Sequence, residues 1–173
     1  GKNHEVELFY YNTKNEFFLK YLLDTKIKIH KIETTNKLYP LTKNLKIIFN
    51  LRKLLKKDYD AIISFMHIPS LYSLIAKIGI RKVKLIVCER NSSKANISFR
   101  IRLLSFFTCL FSDSIVANSY CETKVLKKRF PYKKNIYTIW NGYDLDNLIN
   151  EKTIVFNFKK KLLVIGRITY QKN

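Results

Sequence analysis

Asp60–Glu89 reads DAIISFMHIPSLYSLIAKIGIRKVKLIVCE, and the change of period along it decides the fold. Asp60 to Phe65 is a short apolar run of the kind a buried parallel strand makes. Pro69 suits the first turn of a helix reaching about Ile78, and Gly79 ends that helix. Val83 to Cys88 (VKLIVC) is a second buried strand. Strand, helix and strand in so short a stretch predict two parallel strands joined by a crossover helix.

The alternation continues in both directions. Upstream, Glu5 to Tyr11 (EVELFYY) reads as a strand, Asn15 to Leu23 as a short helix, and Lys26 to Glu33 (KIKIHKIE) as a half-exposed strand with Ile27, Ile29 and Ile32 on one side. Thr42 is the expected N-cap of a helix to about Lys57, with Leu45, Ile48, Leu51 or Arg52, and Leu55 on its apolar face. Downstream, Ile97 to Phe111 is helical, Ser114 to Ala117 (SIVA) a strand, and Ser119 the cap of a helix through about Arg129. Asn135 to Trp140 (NIYTIW) is a strand, Asn141-Gly142 a turn, Asp144 to Phe158 a looser connection, and Lys161 to Ile165 (KLLVI) a last strand. This order predicts an α/β fold, a mostly parallel sheet with helices on both faces. In such sheets ligands sit beyond the carboxyl ends of the strands.

The 173 residues suit one domain of ordinary size, and a hydrophobic share of 47% excludes intrinsic disorder. Four Gly and three Pro exclude collagen-like and proline-rich linkers, and three scattered cysteines (Cys88, Cys109, Cys121) exclude a disulfide scaffold. The chain opens on Gly1 without a basic-then-apolar leader and stops soon after an apolar run, which reads as a fragment cut at both ends.

Charge points to the partner. Lys and Arg number 33 against 13 Asp and Glu, a net +20, so the partner is expected to be anionic: a membrane surface, a phosphate-bearing small molecule or nucleic acid. The most apolar stretch, Leu103 to Ser112, is closed by Arg102 and Asp113 and falls well short of the roughly 20 residues a spanning helix needs. Most of its apolar face is expected to fill the core of the α/β domain. With Phe99, Phe106, Phe107 and Phe111 near Lys94, Arg100 and Arg102, another face suits a membrane interface.

Several familiar machines are missing. The four glycines stand apart, so there is no G-x-G-x-x-G and no P-loop, and no G-x-S-x-G elbow occurs. His4, His30, His67 and the cysteines show no metal-ligand spacing. Among the loops at strand ends, Glu89-Arg90-Asn91 combines an acid, a base and an amide. It reads either as a ligand-facing loop or as an ordinary loop with a local ion pair. His67 reads as a hydrogen-bonded structural residue, and Trp140-Asn141-Gly142 as a structural turn. Gly166-Arg167, with Lys172 five residues on, suits a diphosphate or a pair of solvated cations.

Four pieces taken together resemble the retaining glycosyltransferases of family 4: Cys88-Glu89-Arg90-Asn91, Asp113-Ser114-Ile115-Val116-Ala117-Asn118-Ser119, Ile139-Trp140-Asn141-Gly142-Tyr143-Asp144, and Val164-Ile165-Gly166-Arg167 through Gln171-Lys172-Asn173. The resemblance covers nearly the whole chain. It implies the N-terminal half of a GT-B fold, in which two Rossmann-like domains face each other. Residues 1–150 would be the acceptor domain without its first strand, and 151–173 the linker and opening strand of the donor domain. Arg167 and Lys172 would grip the donor diphosphate, and Glu89, Arg90 and Asn91 would face the acceptor and the reacting sugar. Some relatives carry His where Arg90 falls; an arginine stays protonated and supplies charge or hydrogen bonds, not a base. The resemblance further implies a nucleotide-sugar donor as substrate, no metal or other cofactor, and a lipid-linked saccharide acceptor in surface polysaccharide synthesis. The place of work would be the inner face of the cytoplasmic membrane, with the helix Thr42 to Lys57 and Lys124, Lys127, Lys128, Arg129, Lys133 and Lys134 meeting the anionic leaflet. The family's E-x7-E motif is expected beyond Asn173, so this fragment by itself would be inactive. The competing reading is a non-catalytic basic module that binds anionic membrane or nucleic acid through charge.

Overall fold

The structure, a computed structural model, describes residues 4–11, 27–32, 40–90 and 98–142. Strands β1 (Glu7–Tyr11) and β2 (Lys28–Ile32) pair in parallel, with Glu7 opposite Lys28 and Tyr11 opposite Ile32. Helix α1 (Pro40–Leu55) leads into β3 (Ala61–Phe65), and α2 (His67–Lys77) into β4 (Lys84–Glu89). Helix α3 (Phe99–Phe111) leads into β5 (Ser114–Ala117), and α4 (Tyr120–Arg129) into β6 (Ile136–Thr138). The last four strands form a wholly parallel sheet in the order β3-β4-β5-β6. The helix expected at Asn15 to Leu23, the connection Asp144 to Phe158, the strand Lys161 to Ile165 and the division of the chain near residue 150 lie outside the described residues.

That strand order dictates where the helices go. Consecutive parallel strands added always on the same side, each through a right-handed crossover, leave every connecting helix on one face. Side chains at alternate strand positions confirm it. Leu85, Val87, Ile115, Ala117 and Ile136 share a buried cluster with Cys109 of α3 and Leu126 of α4, and Ile62 packs against it. A second cluster joins Leu51 and Leu55 of α1 to Ala76 of α2 and to Val83, with Phe9 of β1 packed alongside. The described helices thus cover one face. On the other side Ile63, Phe65 and Tyr137 are exposed, Ile86 and Val116 are half-buried, and Cys88 is buried. β4, read as a buried strand, is buried on both sides at Val87 and Cys88, whereas β3 is exposed on the side away from the helices, and among the described residues there is no helix of a second layer.

Two helices differ from expectation for identifiable reasons. α1 opens at Pro40, not at a Thr42 cap, because proline's fixed φ suits the first helical turn. Its buried face is Ile47, Leu51 and Leu55, which leaves the expected core residue Leu45 exposed. In α3 only Thr108 and Cys109 are buried, so most of its phenylalanines and leucines face outward and not into the core. The cap assigned to Ser119 holds: its hydroxyl accepts from the Glu122 amide at 3.2 Å. Gly79 ends α2 with a φ of +80°, and Arg52 of α1 donates to the free carbonyls of Ala76 at 2.9 Å and Ile78 at 2.5 Å.

Polar side chains lock the sheet at its amino-terminal edge. Asp113 accepts the Leu85 amide at 2.8 Å and pairs with Lys77 at 2.9 Å, while its own amide donates to the Leu85 carbonyl at 2.9 Å. Burial pushes the Asp113 carboxyl up, but the Leu85 amide and Lys77 outweigh it and hold the group below its usual value. Lys133 donates to the carbonyls of Leu110, at 3.2 Å, and Ser112, closing the end of α3. Glu7, at the start of β1, accepts from the Tyr59 hydroxyl, from His30 at 2.6 Å and from Lys28 at 3.2 Å. The Tyr59 bond, then that of His30, lowers the Glu7 carboxyl from 4.5 to about 2. Tyr59 precedes β3, so this network ties the two-stranded sheet to the four-stranded one.

A carboxylate held below its unfolded value stabilises the fold fully above that value and loses the contribution as pH falls through the folded one. The urea midpoint is therefore expected to drop as pH falls from 4.5 toward about 2, with Glu7 as a principal contributor. In Glu7→Gln that part of the slope should disappear, measured by urea titration across this range.

Candidate functional site

Parallel strands deliver their carboxyl ends to one rim, and the sequence places its polar loop residues there. Glu89 is the last residue of β4, paired in register with Ala117 of β5, and its side chain is buried. A carboxylate in that position needs donors. Ser105 Oγ donates to Glu89 Oε1 at 3.0 Å, and the Cys109 thiol lies 3.5 Å from the same oxygen. Both come from α3, one turn apart on its inward face. The proton of Ser105 is thus spent on Glu89, so its oxygen accepts from His67 Nδ1 at 3.1 Å. That contact calls for a ring proton on Nδ1. His67 Nδ1 also lies 3.6 Å from Glu89 Oε1.

The backbone beneath His67 is strained. Met66, between β3 and α2, has φ 74° and ψ 161°, a region that glycine occupies and side chains avoid. The strain is held in place by Ser70, whose amide and hydroxyl donate to the Met66 carbonyl at 3.2 and 2.7 Å. Such a forced junction starts α2 immediately at His67 and aims its first residue across β4 toward Glu89.

Arg90 follows Glu89 at the rim. Its guanidinium lies 5.6 Å from the centre of the Phe65 ring and donates to Asn141 Oδ1 at 2.5 Å. The loops after β4 and β6 are thereby linked, and the Asn141-Gly142 turn, expected to be merely structural, supplies a partner for a site residue. The local Glu89–Arg90 pair considered from the sequence is replaced by these separate contacts: the acid points into the core layer, the base lies along the rim. Burial raises the Cys109 thiol well above its ordinary value, followed by the effect of Glu89, so it serves as a neutral donor. Among the described residues no group of three or more His, Cys, Asp or Glu comes together as a metal site, and Cys88, Cys109 and Cys121 are free thiols.

Of the site residues expected from the sequence, Glu89 and Arg90 meet on one rim. Asn91, Arg167 and Lys172 lie outside the described residues. His67, read as structural, joins the Glu89 group. Ser105 and Cys109 were not singled out at all. The available signal was weak: a serine and a cysteine four apart in an otherwise apolar helix share one face.

Removing a donor to a buried carboxylate leaves it undersatisfied. Ser105→Ala is expected to cost about 1–3 kcal/mol in urea unfolding. Met66→Gly should raise stability by about 1 kcal/mol, since relief of the strained φ exceeds the added freedom of the unfolded chain.

The sequence model of Glycosyltransferase Family 4 matches residues 1–147. The amylovoran biosynthesis glycosyltransferase AmsD of Erwinia amylovora is 27% identical over 174 aligned residues, covering 99% of this chain and 47% of AmsD. Crystal structures of Anabaena HepE with UDP, and with UDP and glucose, align with TM-scores of 0.59 and 0.60 at 15% and 14% identity. They cover 82% and 83% of this chain and 45% and 46% of HepE. At such identity the likeness is one of fold, and it agrees with the α/β, parallel-sheet, Rossmann-like class read from the sequence. The chain spans about half the length of these relatives. With a family match over most of its residues and a parallel sheet whose polar groups gather at the carboxyl rim, the chain belongs to Glycosyltransferase Family 4.

Proposed function

We propose that this chain supplies the acceptor-side domain of a retaining glycosyltransferase. The enzyme moves a sugar from a nucleotide-sugar donor to a lipid-linked saccharide in surface polysaccharide synthesis. The observation that carries the reading is the gathering of Glu89, His67, Arg90 and Asn141 at the carboxyl rim of a parallel sheet, in a chain of this family. AmsD is named for biosynthesis of amylovoran, and HepE has been crystallised with UDP and glucose, which supports a polysaccharide product and a uridine nucleotide donor.

In this reading residues 1–150 form the acceptor domain and 151–173 lead into the donor domain. The acceptor hydroxyl oxygen bonds to the anomeric carbon, the bond from that carbon to the diphosphate breaks, and the hydroxyl proton passes to the departing diphosphate. Arg167 and Lys172 hold the charge that develops there, without a resident metal. Arg90, always protonated, lends charge or hydrogen bonds to the acceptor side, together with Asn91. Glu89 and Ser105 hold His67 in one orientation at the rim. The place of work is the inner face of the cytoplasmic membrane, to which the basic domain attaches peripherally.

The net charge of +20 also favours a second reading, a non-catalytic basic module for anionic membrane or nucleic acid. It predicts binding that collapses with salt and ignores sugar nucleotides.

The test is sugar transfer by the protein at its full coding length. Arg167→Ala is expected to weaken use of the UDP-sugar donor, and Arg90→Ala to lower kcat/KM for the acceptor by about 100-fold. Glu89→Gln should lower kcat with little change in donor KM. Turnover unchanged by Arg90→Ala and Arg167→Ala would remove both residues from the site, and absence of transfer with any sugar nucleotide would favour the second reading.

A further inference from the structure

We infer that His67 is a further substrate-contacting residue of the transfer site, where it hydrogen-bonds a hydroxyl of the acceptor sugar. The inference rests on the proposed transfer reaction and names for it a residue that the sequence reads as structural.

The topology brings His67 to the rim beside the loop proposed to face the acceptor. Phe65 of β3 pairs in register with Cys88 of β4, so Met66 and His67 leave the sheet next to Glu89 and Arg90. Glu89 turns toward Ser105 of α3, and Arg90 lies along the rim over Phe65. A sugar held at Arg90 has the start of α2 as its neighbour. The His67 side chain is 14% exposed, so it can be touched from outside while Ser105 of α3 holds its inner side.

Two features separate His67 from a histidine that only fills space. The first is its relation to the carboxylate. At the other edge of the molecule His30 bonds Glu7 directly at 2.6 Å, and that pair joins two strands. Glu89 instead takes protons from Ser105 and from the Cys109 thiol, and His67 Nδ1 stands 3.6 Å away, beyond a hydrogen bond. The carboxylate is thus satisfied without the imidazole. Its effect on His67 passes through Ser105, which Glu89 fixes and which in turn fixes the ring at 3.1 Å. Acid, hydroxyl and imidazole form a chain whose outer member is the imidazole.

The second feature is the backbone. Met66 holds its φ of 74° although its own side chain is 47% exposed, so packing of that side chain does not account for the strain. What the strain secures is position. α2 begins at His67 itself, and Ser70 donates twice to the Met66 carbonyl to keep it there.

The chemistry of the ring selects the ligand. The two nitrogens of an imidazole point in widely different directions, so with Nδ1 on Ser105 the Nε2 edge is turned away from it. A sugar hydroxyl suits that nitrogen in either state of the ring, since it donates to a bare Nε2 and accepts from a protonated one. An anion suits only the protonated ring, and Arg90 alongside serves an anion at any pH. The attacking hydroxyl gives its proton to the departing diphosphate, so His67 meets a different hydroxyl of the same sugar and fixes how that sugar lies. Glu89 and Ser105 are positioning residues for it.

The test is transfer by the protein at its full coding length, from UDP-glucose to farnesyl-diphosphate-linked glucose or galactose, with the acceptor varied at saturating donor. His67→Ala is expected to lower kcat/KM for the acceptor about 100-fold with the donor KM unchanged. His67→Asn sets an amide where Nδ1 stands, so it should keep the urea midpoint and yet lose transfer as the alanine variant does. His67→Gln carries its amide toward the place of Nε2 and is expected to recover about tenfold. Among monodeoxy forms of the acceptor, one should be as poor for the parent chain as the intact acceptor is for His67→Ala, and no poorer for that variant. Met66→Gly, stabilised by relief of the strain, should be slower with the acceptor, and a purely structural junction does not give these opposite movements. Parental kcat/KM in His67→Ala and His67→Asn, or losses that only follow the urea midpoint, overturn this role and leave sugar transfer standing. Absence of transfer by the parent chain with these acceptors and any sugar nucleotide overturns the transferase reading, and the role of His67 with it.

Discussion

Parallel strands cannot be joined by tight turns; each must be followed by a crossover that carries the chain back to the start of the next. Nearly everything else in this protein follows from that constraint. Because β3, β4, β5 and β6 lie in sequence order, the right-handed crossovers place α2, α3 and α4 on a single face. All strands then end on one rim, where Phe65, Glu89, Ala117 and Thr138 are the last strand residues. Residues distant in sequence, such as Arg90 and Asn141, meet there because the topology leaves them no other place.

The two ends of the sheet have different duties. At the amino-terminal edge, Asp113, Lys77 and Leu85 join two strands and a helix, and Glu7 with Tyr59 and His30 joins the two sheets. These carboxylates are saturated with donors and held in their charged form, an arrangement that serves stability. At the carboxyl rim a carboxylate is buried under a histidine instead, next to a strained backbone at Met66. Strain and a buried charge both work against stability, and on this rim they coincide.

The strands and the helix between them were readable in Asp60–Glu89 because apolar runs, Pro69 and Gly79 carry local physical meaning. The Ser119 cap was readable for the same reason. The rim residues were only half legible. Glu89 and Arg90 could be located at a strand end, but nothing local distinguishes a carboxylate turned inward from one paired with its neighbour. His67 looked structural because a lone histidine carries no information about what faces it. Ser105 and Cys109 were hidden inside an apolar helix. Their role depends on which side of α3 meets β4.

The sequence alone determined the class of fold, the run of elements and the strong positive charge, since period, turn residues and composition act over short distances. It also carried the family motifs. Tertiary structure decided which face of each helix is buried, and here it reversed the expectation for α3 and for Leu45 of α1. A stripe of Leu and Phe looks the same whether it meets a sheet or faces outward; the packing of three helices on one side of four strands is what left these stripes outside.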